Sequence, residues 1–305
     1  TMTVINTNTA ATITANALSK NERVMGQTME RLSTGLRINS ASDDAAGLAI
    51  SSRMTSQING LNQAVRNAND AISMIQTADG AMVEVESMLQ RMRELALQAS
   101  SGSMGASDQL ALDTEFQALD DQIDLIASST EWNGTKLLDG TINASAATSF
   151  QIGASASQSI TFTFADLQTD YNTTEASGTQ VAVTDLFAGL NNDVASAGTT
   201  TTDLDGLVIT SGATHSDVIT YLDRAIDRVN VQRATMGATI NRLEYAADNL
   251  SNVSQNTSAS RSRILDADYA AETTELARTQ IIQQAGTAML SQANQMAQSV
   301  LSLLK

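Results

Sequence analysis

The residues best suited to chemistry are few and scattered. Within LSTGLRINSASDDAAGLAISSR (32–53) the adjacent carboxylates Asp43 and Asp44 stand among Asn39, Ser40, Ser42 and glycines. Such a set could serve acid–base chemistry, a metal loop, or the punctuation between two helices. A second acidic group, Asp113, Asp120, Asp121 and Asp124, falls on one face of a helix expected over about 109–127. No histidine or tight loop accompanies it, so it reads as a solvated helix face rather than a metal site. DLDG (203–206) begins like a calcium loop, but Thr214 stands where the closing glutamate should be. The chain has one histidine, His215, just before the helix signal SDVITYL. It cannot build a His-x-x-x-His zinc site, and it is expected in a solvated helix lead-in capped by Thr214 or Ser216. There is no cysteine, which removes thiolate nucleophiles, thiolate metal sites and disulfides. No phosphate-loop, dinucleotide or nucleophile-elbow pattern occurs. No catalytic residue, metal ligand or cofactor is therefore expected.

The elements around these residues are long. Ile58, Leu61, Val65, Ala68, Ile72 and Ile75 step by three and four, and Ala78, Met82, Val85, Leu89, Met92 and Ala96 continue the pattern after one short step. That is a heptad seam on a helix over 58–96, with a local change of supercoil expected beside Gly80. Ile219, Leu222, Ile226, Val229, Met236, Ile240, Leu243, Ala247 and Leu250 form a matching seam, interrupted by Arg233. Proline is absent, so nothing in the sequence breaks these helices, and aromatics are only 3%, which leaves an aliphatic, methionine-rich core. At the ends, Leu18, Met25 and Leu32 recur every seven residues, as do Ile282, Met289, Met296 and Leu303. These stripes can cover one another and leave a residual face for neighbouring molecules.

In this frame the opening stretch is a connector. The first helix stops near Gly35 and the chain runs extended from Leu36 to Ser40. Ser42 is expected as the N-cap of the next helix, with Asp43 and Asp44 in its first turn, where carboxylates favour the helix dipole. Asn133-Gly134 signals a turn, and Phe150/Ile152 alternating with Ile160/Phe162/Phe164 signals a β-hairpin. Residues 165–215, rich in Thr, Ser, Asn, Asp and Gly, include TQVAVTDLF and LDGLVIT and read as a small β-rich outer domain.

The net charge is −16, concentrated in residues 100–215, which carry fifteen acidic groups and one basic. An acidic middle faces water and repels phosphate, which argues against nucleic acid. No window is long and apolar enough for a membrane span, and no basic-then-apolar signal peptide is visible at the start.

RLSTGLRINSASDDAAGLAI (31–50), RNANDAISMIQTADGAM (66–82) and QRMRELALQAS (90–100) resemble the N-terminal half of bacterial flagellin. RSRILDADYAAETTELARTQIIQQAGTAMLSQANQMAQSVLSLLK (261–305) is similar to its C-terminus. The resemblance covers about 1–140 and 216–305. It implies a mainly α fold with long antiparallel coiled-coil helices from both termini, a β-hairpin and a variable outer domain. The implied division is an inner-tube helix and start of the connector at 1–42, the N-terminal part of the rod at 43–164, a variable domain at 165–215, a rod helix at 216–262 and an inner-tube helix at 263–305.

The implied function is that of a structural, non-enzymatic subunit of the secreted, extracellular flagellar filament, a helical propeller for motility. The rivals are a hook–filament junction protein and a flagellin with an enzymatic middle domain. Implied partners are copies of itself, the hook-junction protein, the filament cap protein, an export chaperone and the flagellar export apparatus. Leu18, Met25, Leu32, Ile282, Met289, Met296 and Leu303 are implied in the inner coiled coil. Gln90, Arg91, Leu95 and Glu115 are implied in a subunit contact that a vertebrate Toll-like receptor also reads in many flagellins.

Overall fold

The computed structural model describes residues 8–143, 147–155, 157–167, 209 and 215–303, with side chains up to Gln295 at the C-terminal end. Most of the variable segment, DLDG, Thr214 and the side chains of Met296 and Leu303 lie outside the described residues.

Five helices dominate: α1 (Thr9–Thr34), α2 (Ala45–Ala99), α3 (Ala106–Ser129), α4 (His215–Leu265) and α5 (Tyr269–Leu303). With no proline to remove a donor, α2 runs 55 residues and α4 51 without a break. Two small antiparallel hairpins follow α3. In the first, β1 (Glu131–Trp132) pairs with β2 (Thr135–Lys136). Its turn has positive φ at both Asn133 (50°) and Gly134 (76°), the two-residue turn that Asn-Gly favours because it matches strand twist. In the second, β3 (Thr148–Gln151) pairs with β4 (Ser159–Phe162), with Phe150 opposite Ile160.

The chain divides into two compact units, Thr1–Asn59 with Ser254–Lys305, and Gly60–Val253. The second holds the main core. On α2, with Leu95 also buried, one seam runs through Leu61, Ala64, Ala68, Ala71, Ile75, Ala78, Met82, Val85, Leu89, Met92, Ala96 and Ala99. They step three and four without interruption. The expected seam through Val65 and Ile72 is corrected here: both are half-buried, and Ala64 and Ala71 take the inner positions. Alanine is small enough to let neighbouring backbone approach, and the expected short step at Ala78 disappears with the correction. Val218, Leu222, Ala225, Val229, Met236 and Leu243 of α4 join the same core, with Phe116, Ile123 and Ala127 of α3 and Ile160, Phe162 and Phe164 from the hairpin. Phe162 and Phe164 meet edge to face at 4.8 Å.

Two polar residues behave differently from expectation. His215 is 5% exposed, not solvated, and its Nε2–H donates to the Ile209 carbonyl at 2.8 Å. The Ile209 amide in turn donates to Asp113 Oδ1 at 3.0 Å. The acidic face of α3 is likewise not uniformly solvated, because Asp120 is buried. No cluster of three or more potential metal ligands occurs among the described residues.

Candidate assembly surfaces

In the unit formed by the chain ends, α1 and α5 pack antiparallel. The covered face of α1 carries Ala11, Thr14, Leu18, Asn21, Met25, Thr28 and Leu32, a three-four series that includes all three expected N-terminal residues. The covered face of α5 carries Glu272, Leu276, Thr279, Gln283, Gly286, Leu290 and Ala293. The expected C-terminal stripe is therefore corrected. Ile282 and Met289 lie on an exposed face, because the seam itself is built from polar and small residues that hydropathy passes over. Asn21 Nδ2 donates to the Thr279 carbonyl at 2.8 Å, Arg31 Nη1 pairs with Glu272 Oε1 at 3.1 Å, and Tyr269 Oη donates to the Leu32 carbonyl at 3.0 Å. At Gly286 an added Cβ would meet Leu18 Cδ1 at 3.4 Å, the near edge of ordinary van der Waals contact.

The connector follows from local hydrogen-bond chemistry. Gly35, at φ 71°, ends α1 in the left-handed conformation and donates to the Arg31 carbonyl. The next residues lie against the α4–α5 junction. Leu36 bridges Asp266, the Arg37 amide donates to the Leu265 carbonyl at 2.7 Å, and the Arg37 guanidinium donates to the Ile264 carbonyl at 2.7 Å. That places a cation on the last carbonyls of α4, the favourable end of its dipole.

The expected capping is corrected by two residues. Asp44, not Ser42, caps α2, accepting from the Gly47 amide at 2.8 Å. Asp43 is outside the helix. Its Oδ2 accepts from the Ser40 and Asn39 amides at 2.9 and 3.1 Å, and its Oδ1 from Gln27 Nε2 on α1. Ser42 Oγ lies 2.7 Å from Ser40 Oγ. An aspartate carboxylate, two atoms from its backbone, can fold back on preceding amides, and Asp43 does so, while Asp44 satisfies the helix start. The Ser40 amide first, then that of Asn39, hold the Asp43 carboxyl below its usual range, because both bonds favour the charged form.

On the second unit, Arg91 of α2 is exposed and reaches α3. Its Nε and Nη2 donate to Glu115 Oε1 at 3.0 and 2.7 Å, and its Nη1 to Glu94 Oε2 at 3.1 Å. Those bonds, with Glu115 contributing most, raise its already high pKa further. Gln90 Nε2 donates to Glu86 Oε1 at 3.3 Å. Leu95 does not share this surface. It is 1% exposed and belongs to the core, so its expected place in a surface contact is corrected.

The family described as the bacterial flagellin N-terminal helical region matches residues 5–143, and the bacterial flagellin C-terminal helical region matches residues 219–304. The chain belongs to the bacterial flagellin family. It is 44% identical to Flagellin of Bacillus subtilis (strain 168) over 311 residues, which cover 99% of both chains. It is 37% identical to Flagellin A of Vibrio cholerae over 381 residues, again covering 99% of both. The crystal structure of Bacillus cereus flagellin overlays with a TM-score of 0.44 at 31% identity, covering 61% of this chain and 88% of that one. As a flagellin, the protein is a structural subunit of the bacterial flagellar filament. No helix among the described residues is long and apolar enough to cross a membrane.

Sequence reasoning missed several residues of the flagellin's terminal pair, Asn21, Thr279, Glu272 and Gly286. A signal was present: each continues the three-four spacing of its neighbours, but none is apolar.

Proposed function

We propose that this filament subunit polymerises through the apolar faces that the pairing of α1 with α5 leaves uncovered. The observation that carries the reading is the exposure of large side chains on those helices: Ile13 at 69%, Ile281 at 66% and Met289 at 61%, with Ile282 beside them. Each such side chain gains about 1.5–3 kcal/mol when buried, and no other element among the described residues of its own unit covers it. Leu18, Met25 and Leu32 then hold the pair together, while Ile282 and Met289, with Met296 and Leu303, serve contacts between copies. A head-to-tail contact of unlike surfaces whose rotation does not close gives an open helical polymer.

On this reading 1–42 and 263–305 form the inner tube, 43–164 and 216–262 the rod, and 165–215 the outer, solvent-facing part, in keeping with the charge confined to the middle. Asn39, Ser42, Asp43 and Asp44 set the path of the connector. The subunit catalyses nothing and works mechanically outside the cell. It meets the export chaperone, export apparatus, filament cap and hook-junction protein on its way to the filament.

The test is seeded polymerisation of the Ile281→Asp/Met289→Asp variant. Loss of elongation with unchanged helicity supports the reading, and elongation at the wild-type rate refutes it.

A second surface is favoured by the exposed Arg91–Glu115 bridge. Gln90, Arg91 and Glu115 offer charge and hydrogen bonds on one face of the rod, suited to a contact with another copy and to a Toll-like receptor. Arg91→Ala separates these roles: receptor reporter activation equal to wild type removes the receptor, and unchanged polymerisation removes the subunit contact.

A further inference from the structure

Arg233 interrupts the apolar series of α4, and its partners are spaced on α2. Its Nε donates to Asp79 Oδ1 at 3.1 Å and its Nη1 to Glu86 Oε2 at 2.5 Å. Asp79 and Glu86 are one heptad apart and flank the fully buried Met82. Farther along the same antiparallel contact, Arg93 Nε donates to Asp223 Oδ1 at 2.5 Å. Hydrogen bonds to these carboxylates raise both guanidinium pKa values, so neither cation is lost near neutral pH.

Apolar burial does not choose this alignment. The seam positions of α2 repeat every seven residues from Leu61 to Ala99. Sliding α4 by seven residues sets apolar side chains against apolar side chains again, differing in size but not in character, with methionines able to adapt. Such a slip displaces the helices by about 10 Å. The segment between α2 and α4, which holds α3 and two hairpins, is long, and a slip would also have to open the clasp of Leu36 and Arg37 on residues 264–266 and the hydrogen bonds that link His215 through Ile209 to Asp113. Gln232 adds one neutral hydrogen bond to the Thr163 carbonyl beyond β4.

The charges do distinguish the alternatives. Moved one heptad one way, Arg233 falls between Glu86 and Arg93, cation beside cation, while Asp223 meets Ser100. Moved the other way, Asp223 meets Glu86, anion beside anion, and Arg233 keeps Asp79 but finds Ile72 in place of Glu86. Each slip loses an ion pair and creates a repulsion, which is how charged positions specify register in coiled coils. We propose that Arg233 and Arg93, with Asp79, Glu86 and Asp223, are specificity-determining residues that select the axial alignment of α4 on α2 against one-heptad slips. They act as positioning residues for the rod. A helical polymer repeats the dimensions of its subunit, so a slipped copy would not match its neighbours.

The test uses dilute full-length subunit, so its outcome does not depend on how copies meet. The chain has no cysteine, and Gln76→Cys with Thr220→Cys places two spin labels at exposed positions, one on each helix. Pulsed dipolar spectroscopy on this background gives one distance. Adding Arg93→Ala/Arg233→Met introduces a second population displaced by about 10 Å, while the thermal midpoint stays near that of the parent. Arg233→Lys, which keeps the charge, retains the single distance. A single parental distance in the double variant overturns the proposal. So does a double variant that no longer folds, since the pairs would then hold the helices together rather than choose between alignments. Two populations in Arg233→Lys overturn the assignment to charge.

Discussion

Asn21 on α1 donates its side-chain amide to the backbone carbonyl of Thr279 on α5, 2.8 Å away in a buried setting. Thr279 turns its own hydroxyl back to the Glu275 and Leu276 carbonyls of its helix. The bond therefore crosses the seam where a leucine would otherwise be expected, and it ties one residue of α1 to one level of α5. Buried amides at seam positions trade stability for alignment.

Replacing Asn21 with alanine removes about 1 kcal/mol from the pair. In assembled filaments, amide exchange in the segment around Thr279 should accelerate by roughly fivefold if that energy reports local opening. Unchanged exchange would show that the bond contributes nothing there.

Gly35 tests backbone conformation separately from space. An added Cβ would come no nearer than 3.7 Å to Tyr269 Oη, so alanine meets no clash, only the left-handed backbone at φ 71°. Gly35→Ala should cost about 1–2 kcal/mol. Gly35→Asn should recover part of this, because asparagine tolerates that region. Denaturant midpoints of filaments should fall in the order glycine, asparagine, alanine.

Asp43 supplies a pH dependence of definite sign. Its folded pKa lies below the ordinary carboxylate value because backbone amides bind the charged form. A depressed pKa contributes stability above the unfolded value of about 3.9, and that contribution is lost as pH falls through the folded pKa. The difference in thermal midpoint between wild type and Asp43→Asn should be constant from neutral pH down to about pH 4 and shrink below it. A difference that grows on acidification would contradict the assignment.

His215 should matter for stability rather than for chemistry. Its Nε2–H meets the Ile209 carbonyl in a buried setting, so His215→Ala leaves that acceptor unsatisfied and opens a cavity. A loss of about 1–3 kcal/mol is expected, read as a lower urea midpoint of the full chain with an unchanged slope. Full retention of the midpoint would mean the site relaxes or hydrates without cost.

Much of the architecture is legible because long helices announce themselves by spacing. The absence of proline, the three-four steps of α2 and α4, the Asn133-Gly134 turn and the alternation of Phe150/Ile152 with Ile160/Phe162 all carry a local signal that tertiary structure did not override. The errors have a common cause. Reading by size placed Val65 and Ile72 on the seam where Ala64 and Ala71 belong, and placed Ile282 and Met289 on a seam that Thr279, Gln283 and Gly286 occupy. Close helix approach rewards small side chains, and buried hydrogen bonds reward polar ones, and neither appears in a hydropathy pattern. The capping slip from Asp44 to Ser42 arose because both residues are good caps and only the path of residues 39–43 decides between them. Leu95 sits at a core position next to the exposed Glu94, and one heptad letter separates the two environments. His215 depends on Ile209, which no local pattern connects to it.

The bridge between Leu36 and Asp266 fastens the outgoing chain to the returning one, with about three quarters of the polypeptide looped between them. The entropy of drawing such a loop shut rises only with the logarithm of its size, by about 0.6 kcal/mol for each doubling. The clasp is thus almost indifferent to how much chain it encloses. The enclosed chain can be lengthened, shortened or exchanged while the clasp keeps the same grip.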